Sequence, residues 1–430
     1  MKKINVGIIG FGTIGAGVVR ALKNRRLFLK EKNGVDINIA RICDKDLKTK
    51  RPVSVPAQLL TRSIGKVIYD PNIDVVVELI GGIRPARDII LESLRQGKHV
   101  VTANKALLSD SGDRIFSLAN ELGLCVGFEA SVGGGIPIIR ALKEGFVADR
   151  IDLIYGIING TSNFILSMMS DNGLGFKEAL SMAQAKGYAE RDPYLDISGG
   201  DSAHKLSVLA LLGFGAVAKA SDIYTEGILG IEQDDIRYAS EMGYAIKLLA
   251  IAKRAGQLLE LRVHPTLISK SHLLANVGGA YNAIFVRGDL VGENLFYGQG
   301  AGPSPTSSAV LSDIVAIARC ACGASSKIEQ YVGIRKDVKA IESIDRIVTR
   351  HYIKFLAIDK PGVLAKISGV LAKYGISIAS VTQKERRAGS IVPIVMMTHE
   401  AVEKAMAKAL KEIAALKVVK GRLVRIRVEA

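Results

Sequence analysis

The segment 183–205, AQAKGYAERDPYLDISGGDSAHK, gathers Glu190, Asp192, Asp196 and Asp201 in a loop rich in glycine and proline, and it ends on Lys205. Asp201 is a helix N-cap type and predicts a helix start. Lys205 then lies one turn further along, on the same face. A lysine so placed can give a proton to a developing alkoxide or polarise a carbonyl. Acidic neighbours can hold a substrate ammonium. The same spacing also suits a surface ion pair in a polar loop. A second chemistry is written in Gly10-Phe11-Gly12-Thr13-Ile14-Gly15, a complete G-x-G-x-x-G. Glycine there allows a tight turn and close approach of backbone to a pyrophosphate, and the following helix N-terminus offers N–H donors. After the next strand, Asp44 can accept from a ribose 2′-OH, favouring NAD, while Lys45 can pair with a 2′-phosphate, favouring NADP. The balance leans slightly to NAD with both accepted; the other reading makes both residues exposed loop charges.

The elements that must hold these groups are legible in the spacing of apolar residues. Strands are expected at 4–9 (INVGII), 37–44 (INIARICD), 73–80 (IDVVVELI), His99–Asn104 and Leu124–Glu129, with helices after the glycine run and at Arg87–Arg95 and Ile115–Leu122. Strands alternating with helices predict a doubly wound parallel sheet. The run 131–137 (SVGGGIP) breaks that pattern. Helices and β-like runs then mix from Ile151 to about Phe296, with a buried helix over Leu206–Ala218. Gly298–Pro305 reads as a loop and Thr306–Cys322 as a helix returning to the first domain. From Arg350 the order is strand, helix, strand, strand, helix, strand, a ferredoxin-like βαββαβ unit.

The segment 183–205 resembles the signature of homoserine dehydrogenases through Ala183, Gly187, Tyr188, Ala189, Asp192, Pro193, Asp196, Ile197, Gly199, Asp201 and Lys205. Further blocks resemble the same family in order along residues 1–335: Thr102-Ala103-Asn104-Lys105-Ala106, residues 129–137 (EASVGGGIP), residues 159–164 (NGTSNF), and Gly300-Ala301-Gly302 followed by Pro305-Thr306. The resemblance implies reduction of L-aspartate 4-semialdehyde to L-homoserine with NAD or NADP, in threonine, methionine and isoleucine biosynthesis. It implies Lys205 as proton donor, Lys105 near the nicotinamide and the reacting carbonyl, and Asp201 orienting lysine or substrate. Glu190 would bind the substrate amino group, with Asp196 and Gly187 supporting the substrate site. Thr102, Lys105, Gly187, Gly300 and Gly302 would join Gly10 to Gly15, Asp44 and Lys45 at the cofactor. Glu129, Val132, Gly134 and Ile136 would form a sodium site, mostly through backbone carbonyls; the other reading is a plain glycine hinge. The C-terminal unit resembles an ACT domain, in which Asp359, Pro361, Gly362, Val363 and Leu364 would take an amino-acid effector such as L-threonine; the other reading is an assembly module. The expected chain is α/β: a Rossmann doubly wound dinucleotide-binding domain (1–133), an α+β catalytic and dimerisation domain (134–305), a helical return (306–335), a linker (336–349) and the ACT domain (350–430). Removal of the chain after about residue 340 is expected to leave an active, less sensitive enzyme.

Composition narrows the classes. Apolar residues are 48% and charged residues 23%, which argues against a disordered chain. The formal charge is +16, and +10 of it lies in residues 350–430, which hold 16 basic and 6 acidic side chains. A solvated basic face explains this, since no helix-turn-helix, zinc-finger or RNP-like motif supports nucleic-acid binding. Four cysteines without a CxxC pair argue against a disulfide scaffold or a zinc site and suit the cytoplasm. No run is long enough to span a membrane. An aldehyde-oxidising semialdehyde dehydrogenase would need a nucleophilic cysteine near a histidine, and Cys125 falls in an expected buried strand. A Rossmann/ACT amino-acid-sensing regulator without dehydrogenase activity is the alternative. A homodimer or homotetramer is expected.

Overall fold

Ile4, Val6, Ile8 and Ile9 of β1 (Lys2–Ile9) are all buried, as a strand covered on both faces requires. β1 pairs in parallel with β2 (Val35–Cys43) on one side and β4 (Val75–Glu78) on the other. With β3 (Leu60–Thr61), β5 (His99–Thr102) and β6 (Val126–Gly127) the order is 3-2-1-4-5-6, that of a dinucleotide-binding sheet. The helices between strands are α1 (Thr13–Asn33), α2 (Gly65–Ile68), α3 (Arg84–Arg95) and α4 (Lys105–Leu122). α1 ends at Gly34, in the left-handed region at φ 69°. The expected strand at Leu124–Glu129 shrinks to two residues: the Cys125 N–H donates to His99 Nδ1, and Glu129–Ser131 already turns as a 3-10 helix.

The structure, a computed structural model, describes residues 2–320, 338, 340–383 and 390–429; the rest of the expected helical return and part of the expected linker lie outside these. The chain divides into two compact units that cut across the segments expected from sequence. The first unit holds residues 1–152, 204–222 and 282–338. Besides the parallel sheet it contains α5 (Ile138–Arg140), β12 (Gly292–Gln299), most of β11 (Tyr281–Gly288) and α11 (Pro303–Cys320). α11 packs on α1, where a Cβ on Gly17 would lie 2.7 Å from Ser307 Oγ. Val310, Ile314 and Ile317 share one core with Val18, Val19 and Leu22.

The second unit holds residues 153–203, 223–281 and 339–430. Its elements before the C-terminal part are β7 (Ile151–Ile157), α6 (Gly160–Asn172), α7 (Phe176–Ala185), α8 (Tyr194–Ile197), β8 (Tyr224–Thr225), α10 (Gln233–Glu241), β9 (Tyr244–Ala255) and β10 (Leu258–Ser269). α9 (Gly200–Phe214) begins here and from His204 belongs to the first unit. The C-terminal part comprises β13 (Ala340–Ile341), β14 (Val348–Ile358), α12 (Val363–Lys373), β15 (Ile378–Thr382), β16 (Ile391–Thr398), β17 (Ala401–Val402), α13 (Glu403–Ala414) and β18 (Val419–Glu429). Its sheet runs β18-β14-β16-β15, and α12 and α13 bury Ile367, Leu371, Met406 and Ile413 against it.

One face of this arrangement was not visible in sequence. β9 covers one edge of β10 along its whole length. The other edge is shared in turn by β13 at Leu258–Leu259, β8 at Arg262–Val263 and β18 at Thr266–Ile268. Pro265 falls in the break between β8 and β18, the place in a strand where a missing N–H costs least. Arg262 and Arg427, both fully buried, fill the junction. Arg262 Nη2 lies 2.6 Å from Glu429 and 3.0 Å from Glu260. Arg427 bonds Glu403 and Glu226, and the Tyr155 hydroxyl donates to Glu429. His264 and His351 sit in the same cluster and are held neutral by burial, reinforced by the arginines. The C-terminal part is therefore built into the unit's main sheet.

This packing predicts a different outcome of truncation from the one expected from sequence. Removing the chain after residue 340 uncovers β10 and strips the buried Arg262 of Glu429, so the truncated protein should be insoluble or unfolded. Glu429→Ala in the full chain should cost about 3 kcal/mol by leaving a buried cation short of its counter-charge. A denaturant midpoint equal to that of the parent would refute this.

Candidate active site

At the nucleotide loop the three glycines have different reasons to be glycine. Gly10 has φ +105°, and a Cβ there would meet the Leu79 carbonyl oxygen at 2.6 Å. A Cβ on Gly15 would meet the Gly10 oxygen at 2.0 Å. Around Gly12 nothing lies within 4 Å, so the loop offers bare backbone at the first turn of α1. That cradle fits a pyrophosphate. The Phe11 side chain is buried in the core, Ile14 packs against that core, and Thr13 is exposed. Asp44 lies at the end of β2, but its oxygens already accept from the Phe11 N–H (2.5 Å) and the Asp46 N–H (2.8 Å). Sequence reading missed Arg51. Its Nε donates to the Phe11 carbonyl at 2.6 Å, and its guanidinium sits 5.9 Å from the Phe11 ring. The signal was faint: a cation in a loop already crowded with lysines. Lys45 is exposed on the same loop.

The ends of β4 and β5 are tied by a buried carboxylate that sequence reading also missed. Glu78 accepts from the Thr102 hydroxyl at 2.7 Å and from the Ile80 N–H at 2.9 Å. Thr102 Oγ1 in turn accepts from the Asn104 N–H, and the Asn104 side chain caps α4 through the Leu107 N–H. Lys105, the first residue of α4, is thereby fixed at a helix start. Thr102 is itself fully buried.

The loop after β6 stacks on the loop after β12. A Cβ on Gly134 would meet the Gly300 carbonyl carbon and oxygen at 2.6 Å, and one on Gly300 would strike the Asn282 amide. Gly302 has φ +119°. The Glu129 carboxylate accepts from the Ile139 and Arg140 N–H groups, both at 2.9 Å, and the Ile136 carbonyl accepts from Ile138. Val132 is fully buried. Asp313, on α11, accepts from the Glu129 N–H at 2.9 Å. Burial, then the neighbouring Glu129, push the Asp313 carboxyl up to about 7.

In the second unit one amide assembles the acids. Asn159 caps α6, its Oδ1 accepting from the Ser162 N–H. Its Nδ2 donates to Asp196 at 2.7 Å and to Asp201 at 2.9 Å. Asp196 and Asp201 are thus brought to one point. Asp201 is not the N-cap expected for α9: the helix starts at Gly200, and the Asp201 carboxylate turns to Asn159 instead. Lys205 is buried one turn further along the same helix. The expected helix to Ala218 stops at Phe214, because Gly215 takes φ +66°. Glu190 is exposed, and its carboxylate makes no hydrogen bond among the described residues. Asp192 accepts from the Tyr194 N–H. Gly187 is exposed, with φ +73°. Thr161 ties the loop by donating to the Tyr188 carbonyl at 2.6 Å.

In the C-terminal part, Asp359 to Gly362 form the turn into α12, with Gly362 at φ +84°. Pro361 and Leu364 are exposed, whereas the Val363 side chain lies in the core.

Comparison with known proteins gives three family matches. Residues 10–129 match the homoserine dehydrogenase NAD-binding domain, residues 137–315 homoserine dehydrogenase, and residues 351–417 the ACT domain. Homoserine dehydrogenases from Pseudomonas aeruginosa and Neisseria gonorrhoeae are 43% and 42% identical, each over 100% of this chain and 99% of theirs. Among solved structures, a homoserine dehydrogenase from Thiobacillus denitrificans is 44% identical with a TM-score of 0.91, covering 100% of this chain and 99% of that one. A hyperthermophilic archaeal homoserine dehydrogenase in complex with NADPH is 25% identical with a TM-score of 0.62, over 73% of this chain and 97% of that one.

Asp313 makes the stability of the loop it holds at Glu129 depend on pH. Its folded pKa lies above the unfolded value, so the folded state binds the extra proton between about pH 4 and 7. The contribution of Asp313 to stability should be full below that window, fall as pH rises through it and be lost above about 7. Asp313→Asn should flatten that slope in a pH series of melting temperatures; an unchanged slope would place the proton elsewhere.

Proposed function

This chain belongs to the homoserine dehydrogenase family, and from that premise we propose how its residues divide the reaction. The family reaction interconverts L-aspartate 4-semialdehyde and L-homoserine with a nicotinamide dinucleotide. When bound, the nicotinamide supplies or takes the hydride. The carbonyl oxygen becomes an alkoxide and needs one proton. Lys205 gives that proton, and Lys105 polarises the carbonyl from the start of α4. Glu190 takes the substrate ammonium on its open carboxylate. Asn159, Asp196 and Asp201 position the substrate loop. The observation that carries this reading is the Asn159 amide, which spends both N–H donors on Asp196 and Asp201 one turn before Lys205. A regulator without dehydrogenase activity is not favoured, since the matched families and full-length relatives are dehydrogenases.

Gly10, Gly12 and Gly15 with the first turn of α1 hold the pyrophosphate, and Gly187, Gly300 and Gly302 approach the cofactor by backbone. Because Asp44 already accepts two backbone N–H groups, its main work is to hold the loop. Arg51 and Lys45 favour a 2′-phosphate, so NADP is accepted at least as readily as NAD. A sodium ion, where bound, uses backbone carbonyls of Glu129, Val132, Gly134 and Ile136, because the Glu129 side chain caps α5. The ACT turn Asp359–Leu364 takes an amino acid such as L-threonine. As divisions of labour along the sequence, 1–133 would serve the dinucleotide, 134–305 substrate and dimerisation, 306–335 the return, and 350–430 regulation after a linker, whereas the compact units follow other bounds. β18 is covered within the chain, and β15, which pairs only with β16 among the described residues, would offer its other edge to a second copy in a homodimer or homotetramer. No helix among the described residues is long and apolar enough to cross a membrane. Work in the cytoplasm suits the buried Cys43 and Cys125, neither of which is in a disulfide.

Lys205→Ala should lose about 100-fold or more in kcat, within the usual range for general acid catalysis, with cofactor affinity retained. Glu190→Gln should raise KM for homoserine and leave KM for cofactor unchanged. Near-normal turnover in the first variant, or unchanged KM in the second, removes that residue from its role.

Arg51→Ala should lower kcat/KM with NADPH about tenfold more than with NADH, the worth of one charge-assisted contact. Equal loss with both coenzymes would show that Arg51 only holds the loop.

A further inference from the structure

A cavity of about 230 Å³ lies in the second unit between the last turns of α6 and the start of β9. Lys247, only 6% exposed, lines it. Its Nζ donates to the Val277 carbonyl at 2.7 Å. An ammonium carries three N–H donors, and among the described residues Lys247 makes no ion pair. A buried charge held by one neutral carbonyl is costly. Burial brings its pKa down to about 8 against the upward pull of the Asp171 charge, so it is still largely charged at neutral pH. Asp171, on the last turn of α6, lines the same cavity; it is exposed, and its carboxylate makes no hydrogen bond among the described residues. Ser170, Lys270 and Asn276 are further lining residues. Lys270 is occupied, donating to the Ser240 carbonyl and hydroxyl.

An ammonium bonded to a single carbonyl and a carboxylate that makes no hydrogen bond among the described residues thus line one small polar space, the carboxylate's charge already favouring the ammonium, with hydroxyl and amide groups beside them. We propose that this cavity binds a small α-amino acid, its carboxylate on Lys247 and its ammonium on Asp171. The site is separate from Glu190 and from the ACT turn, and it does not rest on the roles assigned to either. It is also wired to the substrate acids. The Val277 carbonyl accepts from Asn163 Nδ2 as well, at 3.1 Å. That amide also reaches the Gly279 and Tyr281 carbonyls. Asn163 lies one turn along α6 from Asn159, whose amide holds Asp196 and Asp201. A ligand that draws Lys247 away from Val277 therefore acts on the helix that positions the substrate loop.

Thermal unfolding of the full-length protein, with each of the twenty protein amino acids in turn, tests this. A ligand that binds only the folded state raises Tm. At least one amino acid should raise Tm of the parent. That shift should vanish in Lys247→Met and in Asp171→Asn, and persist in Glu190→Gln and Asp359→Asn. Methionine matches the length of the buried lysine stem, and Asp171 is exposed, so both variants should fold. The proposal is overturned if no amino acid gives a Tm rise that is lost in Lys247→Met and in Asp171→Asn and kept in Glu190→Gln and Asp359→Asn; a rise lost only in Asp359→Asn belongs to the ACT turn and does not count for it.

Discussion

Two fully buried guanidinium groups govern the second unit. Arg262 stands on β10 and Arg427 on β18, and neither reaches water. Leaving either without a carboxylate would be prohibitive. Glu260, Glu429, Glu403 and Glu226 meet that demand, and Glu226 lies far along the chain from the C-terminal pair Glu403 and Glu429. Satisfying all of them at once fixes the register of β18 on β10, with Thr266 opposite Arg427. Once β18 is fixed, so is the ferredoxin-like sheet it belongs to. The C-terminal part therefore cannot behave as a loosely attached tail, and any ligand it takes acts on a sheet continuous with β9 and β10.

The same economy appears around Asp196 and Asp201. A loop with four carboxylates close in sequence would repel itself if nothing held it. The Asn159 amide offers two donors to two of them, and its oxygen caps its own helix. A single neutral side chain thus orders Asp196 and Asp201 without cancelling their charge, which leaves that charge available to orient a lysine or an ammonium. Asn163, one turn on, does comparable work on three carbonyls of the 277–281 loop. Helix α6 is therefore a strut with a polar group bound at each turn.

In the first unit the constraint is steric. Gly10 and Gly15 are needed because backbone meets backbone, and Gly12 because space must stay open above it. Glu78 and Thr102 link the ends of β4 and β5, so the start of α4 cannot drift from the sheet. Asp313 and Glu129 anchor the loop behind.

The sequence alone determined the parallel sheet, the nucleotide loop, the ferredoxin-like C-terminal order and the acidic segment leading to Lys205. These depend on local periodicity and on glycine spacing, both readable within a few tens of residues. The tertiary structure decided what depends on contacts between distant residues. Asn159 reaches Asp201 across 42 positions, Tyr155 reaches Glu429 across 274, and Arg51 reaches Phe11 across 40. It moved Asp201 from the expected cap into the first turn of α9, because Asn159 competes for its carboxylate. It also joined the C-terminal part to the main sheet, because the buried Arg262 on β10 takes, beside Glu260 of its own strand, a second carboxylate from Glu429 near the end of the chain.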